Sequence, residues 1–186
     1  MIHEAVAAIA GELNRFLQSK HNITEEKVVM SSIINLDGSI AVQEPDKIVM
    51  TLTNIEMDKT QSNVGGYKQT PRGNYKKVKP PVHVNITILF SAYFTSENYL
   101  EGLKFISSVI AFFQSRSGAF SPQDTPVMNG VIERMQAELI SFETRDLSNF
   151  WGLMGSKYLP SVVYKIKTLP IKHDVLYPEI PVIKKT

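Results

Sequence analysis

Apolar residues recur at three- and four-residue steps in two segments of the chain, a pattern that predicts two long amphipathic helices. The first helix is expected over residues 2–20. The second is expected to begin at Ser96-Glu97, where Ser96 is a suitable cap, and to end near Ser117-Gly118. The residues that the second helix is expected to bury are Leu100, Leu103, Ile106, Ile110 and Phe113.

Apolar and polar residues alternate with a period of two elsewhere, which predicts strands. The predicted strands are 27–36, which ends at the Asp37-Gly38 turn, 48–57, 82–94 and 162–169. Residues 131–143 satisfy both periods, and a short helix is expected at 147–154. Because strands adjacent in sequence precede a helix, we expect an α+β fold with a mostly antiparallel sheet and helices packed on one side.

The most distinctive pattern lies at 147–171, around the single tryptophan. Trp151 lies on the short helix, a Tyr-Leu-Pro-Ser corner follows at 158–161, and an alternating strand comes next. One face of this strand is expected to carry Val163, Lys165 and Lys167, and the other Val162, Tyr164 and Ile166. We predict that Trp151, Tyr158, Pro160 and Tyr164 form a structural corner that sets the direction of the last strand.

The composition is that of a globular protein, with 43% hydrophobic and 20% charged residues among 186, and it favours one domain. No run of about 18 apolar residues occurs, so no membrane span is expected. Residues 1–16 mix acidic residues into their apolar pattern and lack a basic start, so no secretory signal is expected. The absence of cysteine excludes disulfides and thiolate chemistry and is compatible with the cytoplasm.

Positive charge is concentrated in one long connection, 58–80. Six basic residues and a single acidic residue, Asp58, lie between Asp58 and Pro81, although the net charge of the whole chain is only +2. Connections of this length are usually functional or disordered. Three interpretations stay open: a solvated linker, a loop that orders on a neighbouring protein, or a single-strand nucleic-acid site in which Tyr67 and Tyr75 stack on bases.

Motifs for catalysis or metal binding are not found. The four histidines show neither HxH nor HExxH spacing, and Gly65, Gly66 and Gly73 do not form a phosphate loop. No GxSxG elbow occurs. We therefore expect no catalytic residue, no metal and no cofactor, and a protein that is not an enzyme.

Several motifs together resemble one protein family. The spacing of residues at 147–164 is similar to that in the cap, or tail-terminator, proteins of extracellular contractile injection systems, which are phage-tail-like particles. The residues concerned are Leu147, Trp151, Leu153, Gly155, Tyr158, Pro160, Ser161 and Tyr164. Segments 48–56 (running into Lys59 and Asn63) and 81–93 resemble the same family, and the resemblance covers about residues 1–171. It also favours the strand interpretation of 131–143.

The resemblance implies a structural role. Such proteins form a hexameric ring on the end of the inner tube and sheath, stop polymerisation and hold the sheath extended. The implied partners are further copies of this chain, the tube protein and the sheath protein. Assembly is expected in the cytoplasm, within a particle that is released or anchored through other components. The alternative is a small single-stranded nucleic-acid-binding protein that uses 58–80.

We expect a single domain at 1–171, followed by an extended tail at 172–186. Because a heterologous interface adds subunits without limit unless a last ring offers one complementary face, contacts with neighbours are expected in the basic loop and the tail. The predicted interface residues are Lys59, Tyr67, Lys68, Arg72, Tyr75, Lys76, Lys77, Lys79, Tyr177, Ile180, Val182 and Ile183.

Overall fold

A computed structural model describes residues 2–59, 66–69, 75–78, 82–116, 119–120 and 135–171. Three helices and eight strands lie within these residues. In chain order they are α1 Ile2–His21, β1 Val28–Met30, β2 Lys47–Met57, β3 Gly66–Gln69, β4 Tyr75–Val78, β5 Val82–Tyr93, α2 Tyr99–Ser115, β6 Ala119–Phe120, β7 Met135–Ile140, α3 Thr144–Leu153 and β8 Ser161–Ile171.

Six of the strands form one sheet in the order β1-β2-β5-β8-β7-β6. The short pair β1–β2 is parallel, and the other four pairs are antiparallel. The strands β3 and β4 form a separate hairpin inside the predicted basic loop, which the sequence pattern did not indicate. The predicted α+β class with a mostly antiparallel sheet is confirmed, and β7 confirms the strand at 131–143 in its described part.

The two long helices cover the same face of the sheet, as expected. Their apolar stripes pack on alternate residues of β2, β5 and β8, and burial of this surface stabilises the fold. Large side chains of this core include Ile9, Leu13, Leu17, Ile48, Met50, Ile86, Ile88, Phe90, Phe105, Phe112, Phe113, Met135 and Tyr164. Asn14 of α1 also exchanges two hydrogen bonds with the backbone of Val28, at 2.8 and 3.1 Å, so α1 is fixed to β1.

The short helix α3 lies on the opposite face of the sheet, so the expectation that helices pack on one side holds for α1 and α2 and not for α3. There Trp151 packs with Val49, Leu89 and Val163, residues that alternate with those facing α1 and α2. The predicted faces of the last strand are therefore confirmed, and the sheet is covered on both sides.

The start of α2 differs from the expectation. The cap position is Asn98 rather than Ser96, and the amide group of Asn98 donates to Asp46 Oδ2 at 2.7 Å. The predicted burial of Leu100 and Leu103 is wrong, since these side chains are 78% and 36% exposed. The helix is apolar around much of its circumference, so periodicity alone did not determine which stripe would meet the sheet.

Irregular backbone accounts for two further differences. The predicted strand 27–36 is regular only over β1, after which Ile34 and Ile40 form an isolated bridge around the expected turn at Gly38, whose φ is +83°. In β2 a register shift between Leu52 and Asn54 inserts one extra residue. Beyond this bulge Ile55 pairs with Ile86 and lies on the α1 and α2 face, the opposite of the face that unbroken alternation predicts.

Candidate interaction surfaces

The predicted corner is built around Trp151. The indole is only 4% exposed, and its ring meets Tyr158 edge-on with centroids 5.7 Å apart. The Tyr158 side chain is 60% exposed, so it shields one side of the indole while facing solvent. Within the part of the chain that the structure describes, Trp151 Nε1 is buried without a hydrogen-bond partner. Trp151 thus acts through apolar packing.

The backbone after α3 turns sharply toward β8. Gly155 has a φ of +65°, a left-handed conformation that glycine adopts without steric cost. Its N–H donates to the Gly152 carbonyl at 3.2 Å, and Pro160 O accepts from the Ala92 N–H at 2.8 Å. The second bond joins the start of β8 to the end of β5.

Tyr164 connects the same strand to the other face. Its ring stacks on Phe113 of α2 with centroids 4.0 Å apart and is 4% exposed. Burial raises the pKa of Tyr164, because the charged phenolate loses solvation there. Trp151 and Tyr164 therefore hold β8 from opposite sides of the sheet.

The predicted basic interface is divided between described and undescribed residues. Lys59 is exposed two residues after the end of β2. The hairpin β3–β4 places Tyr67 opposite Lys77 and Lys68 opposite Lys76, and Tyr75 opposite Gln69. The other predicted residues, Arg72, Lys79, Tyr177, Ile180, Val182 and Ile183, lie outside the described residues.

A groove of about 500 Å³ lies between α3 and the sheet and was not predicted from the sequence. Its apolar wall is Ile140, Phe142, Phe150, Leu153 and Met154, and its polar floor is Thr53, Asn54, Glu56, Thr87 and Lys165. Phe142 and Phe150 stack with ring centroids 5.1 Å apart, and Lys165 pairs with Glu56. One signal in the sequence could have indicated this groove. Lys165 and Lys167 alternate with the buried residues of β8, which marks the face of the sheet that α3 covers as partly polar.

A second unpredicted surface lies on the opposite face, at the far end of β2. Leu52, Ile55 and Met57 are 38%, 50% and 53% exposed. Leu52 lies at the start of the bulge and Ile55 and Met57 follow it, in the part of β2 that extends past the last residue of β1. A single extra residue at the bulge moves Ile55 to this face, and alternation alone contains no signal of the insertion.

The titratable side chains of the described residues offer little chemistry. Within those residues, no three His, Asp or Glu side chains lie close enough together to hold a metal ion. His21 Nε2 lies 2.9 Å from Ser108 Oγ, a contact that joins α1 to α2. Among the described helices none combines the length and apolar character needed to cross a membrane.

Two solved structures share this fold. The tube-terminating cap of the anti-feeding prophage is 16% identical, with a TM-score of 0.61 over 95% of this chain and 58% of that chain. The sheath/tube terminator of the PVC extracellular contractile injection system, in its extended state, is 14% identical, with a TM-score of 0.64 over 100% of this chain and 62% of that chain. This chain therefore spans about three fifths of each.

No curated protein matches the chain. The model of the Pvc16 N-terminal domain matches residues 4–185, which extends the similarity beyond β8 and through most of the predicted tail. The resemblance of the sequence to cap proteins is confirmed by this match and by the shared fold. The chain belongs to the Pvc16 N-terminal domain family.

Proposed function

We propose that this chain is a structural cap subunit of a contractile injection particle, which ends growth of the inner tube and sheath and stabilises the extended sheath. The observation that carries the proposal is the family match over residues 4–185, together with a fold shared with two tube-terminating caps. We propose further that the chain acts as a homo-hexameric ring, assembled in the cytoplasm before the particle is released or anchored through other components.

The proposed mechanism is geometric. A tube grows because each ring offers its upper face to the next, and growth ends when the last ring has no matching upper face. A rigid two-sided domain suits this role, because α1 and α2 on one face and α3 on the other fix the sheet between them. We therefore expect the basic hairpin and the segment after β8, which lie outside this two-sided domain, to make the contacts with neighbouring subunits.

The opposed lysines of the hairpin support contact with an acidic surface. Lys68 and Lys76 occupy the same register pair, and the connection 58–80 contains six basic residues against one acidic residue, a charge balance that favours an acidic partner. We assign this contact to the tube protein, with the hairpin on the inner side of the ring.

The oligomeric state gives the direct test. The chain is mixed with purified tube and sheath proteins, and the mass of the complex is measured and imaged by negative stain. We expect rings of about six copies seated on tube ends. A chain that stays monomeric in the presence of tubes, or binds along their sides, contradicts the proposal.

Removal of residues 172–186 tests the role of the tail. We expect the shortened protein to remain folded, because β8 ends at Ile171 and the deletion leaves the described sheet whole. We also expect that it no longer caps particles, because the proposed contact of the tail with neighbouring subunits is lost. Particles of normal length with extended sheaths in this deletion would show that the tail is dispensable.

A further inference from the structure

The outer edge of β2 is open over its second half. The parallel strand β1 pairs with Ile48, Val49 and Met50, and the Ser31 N–H then donates to Met50 O at 3.2 Å. The Thr51 hydroxyl donates to Ser31 O at 2.7 Å and closes this contact. Beyond Thr51, no residue in the described part of the chain pairs with this edge. An open apolar edge is a template for another strand.

The direction of each backbone group on this edge follows from the bonds around it. Ile48 N–H donates toward β1, to Lys27 O at 2.7 Å, whereas Asp58 N–H donates toward β5, to His83 O at 2.8 Å. Since direction alternates along a strand and the bulge resets it, the N–H and C=O of Ile55 and Met57 point to the open side. The same two residues carry exposed apolar side chains, so the edge offers hydrogen bonds and apolar contact together.

The end of β8 shows which segment can reach this edge. Ile171 pairs with Val82, so the chain after β8 begins at the end of the sheet where Met57 lies. Crossing from β8 over β5 and β2 to a new edge position requires three strand spacings, about 14 Å. Residues 172–178 span up to about 23 Å when extended. A strand that then runs back along the edge is antiparallel to β2.

The sequence of this segment selects one register. Ile180 opposite Met57 and Val182 opposite Ile55 give two apolar pairs on the α1 and α2 face. A shift of two residues places either Pro178 opposite Met57, where an N–H donor is needed, or Lys184 opposite Ile55. In the favoured register the backbone nitrogen of Pro181 faces outward. Because this nitrogen carries no hydrogen, it cannot donate to a further strand, and the new edge is protected from further pairing.

We propose that residues 179–183 form an additional antiparallel strand on the open edge of β2, with Val182 opposite Ile55 and Ile180 opposite Met57. The family model matches residues 4–185 and thus treats this segment as part of the domain. The pairing does not depend on the cap function, because it requires only the open edge of β2 and residues 179–183, which come either from the same copy or from a neighbouring one.

Amide hydrogen exchange by NMR on the full chain and on the chain without residues 172–186 tests the pairing. The deletion should raise the exchange rates of the Ile55 and Met57 amides at least about tenfold, since their N–H groups lose acceptors. The Asp58 amide, which donates to β5, is the internal control for an intact sheet. Equal rates for Ile55 and Met57 in the two proteins overturn the proposal.

A matched pair of substitutions removes the concern that deletion perturbs folding. Val182→Asp places a charge among apolar side chains and should raise exchange at Ile55 and Met57 as the deletion does. Ile183→Asp places the same charge on the opposite face, beside polar Asn54, and should leave both rates unchanged. Equal effects of the two substitutions contradict the register.

Because the chain contains no cysteine, disulfide crosslinks between introduced cysteines can show whether the strand comes from the same copy or from a neighbouring one. Ile55→Cys combined with Val182→Cys should form a disulfide under mild oxidation, and Ile55→Cys combined with Ile183→Cys should form much less. A crosslinked monomer on a denaturing gel places the strand in the same copy, and a crosslinked ladder places it in a neighbour. Both results support the pairing, and no crosslink in either protein contradicts it.

Discussion

At the scale of single residues, Trp151 shows how position determines the contribution of a side chain. Its indole is 4% exposed and packs against β2, β5 and β8, while Leu153, two residues along the same helix, is 89% exposed. Both residues are strongly apolar, and only the packed one stabilises the fold through burial. The sequence predicts Trp151 as part of a structural corner, because aromatic side chains of this size contribute a large buried area to a core.

Replacement of Trp151 should therefore lower the free energy of unfolding, and by more the smaller the new side chain is. We expect Trp151→Ala to lower the free energy of unfolding by about 3–5 kcal/mol, because it leaves a large cavity. Trp151→Phe should cost much less, since it retains an aromatic ring and removes a buried N–H that has no partner among the described residues.

Urea unfolding followed by circular dichroism measures these differences. Leu153→Ala, on the same helix, is the control and should change the free energy of unfolding by less than about 0.5 kcal/mol. Similar losses for Trp151→Ala and Leu153→Ala would show that the corner is not anchored by the indole.

We predict that His21 makes the stability of the fold depend on pH. Burial between α1 and α2 lowers its pKa, and the neighbouring Lys104 and Lys20 lower it further, while Glu101 acts in the opposite direction. Because the native state then binds the proton less readily than the unfolded chain, the contribution of His21 to stability is present above the unfolded pKa of about 6.5. It is lost as the pH falls toward the lower native pKa.

The free energy of unfolding should thus fall between about pH 7.5 and pH 5 more steeply in the natural chain than in His21→Gln, which cannot take up the proton. Urea titrations of both proteins across this range provide the comparison. Identical pH dependence would mean that protonation of His21 is not coupled to folding.

At the scale of elements, the turn between α3 and β8 depends on where its glycines lie. Gly152 is inside α3 with open space where a side chain would begin, whereas Gly155 has a φ of +65°. Alanine favours a helix over glycine, but it is strained in the left-handed region. The same substitution therefore acts in opposite directions three residues apart.

We predict that Gly152→Ala raises the free energy of unfolding by about 0.5–1 kcal/mol and that Gly155→Ala lowers it by about 1–2 kcal/mol. Each variant is the control for the other, because both add one methyl group to the same corner. Thermal unfolding followed by circular dichroism reports the sign, and changes in the same direction for both would contradict the turn geometry.

Elements also differ in how far their patterns could be read from the sequence. The strand at Val82–Tyr93 and the helix α1 were predicted nearly to their ends, because period and burial agree there. The exposed side of α2 was misassigned at Leu100 and Leu103, since apolar residues surround that helix. In β2 the bulge at Leu52 and Asn54 reversed the face of Ile55, and composition does not reveal an inserted residue.

At the scale of the whole molecule, charge is the property that distinguishes the proposed functions. We expect charge reversal at Lys76, Lys77 and Lys79 to weaken binding to inner tubes, because the basic loop 58–80 loses its attraction to acidic partners. Reversal of Lys20, Lys104 and Lys157, which are exposed elsewhere on the domain, changes the net charge equally and is the control.

Co-sedimentation with purified tubes measures this binding. Equal retention of both triple variants argues against a hairpin contact with the tube. A salt-dependent mobility shift with single-stranded DNA or RNA that disappears when Lys76, Lys77 and Lys79 are reversed in charge would instead favour nucleic-acid binding.

The sequence by itself determined the α+β class and the family, because these depend on periodicity and on the spacing of a few distinctive residues. Only the tertiary structure decided that α3 lies opposite the long helices, that a groove forms beneath it and that the second half of β2 has an open apolar edge. The physical reason is that faces and edges depend on how elements pack and on single inserted residues, and no local pattern in the chain records either.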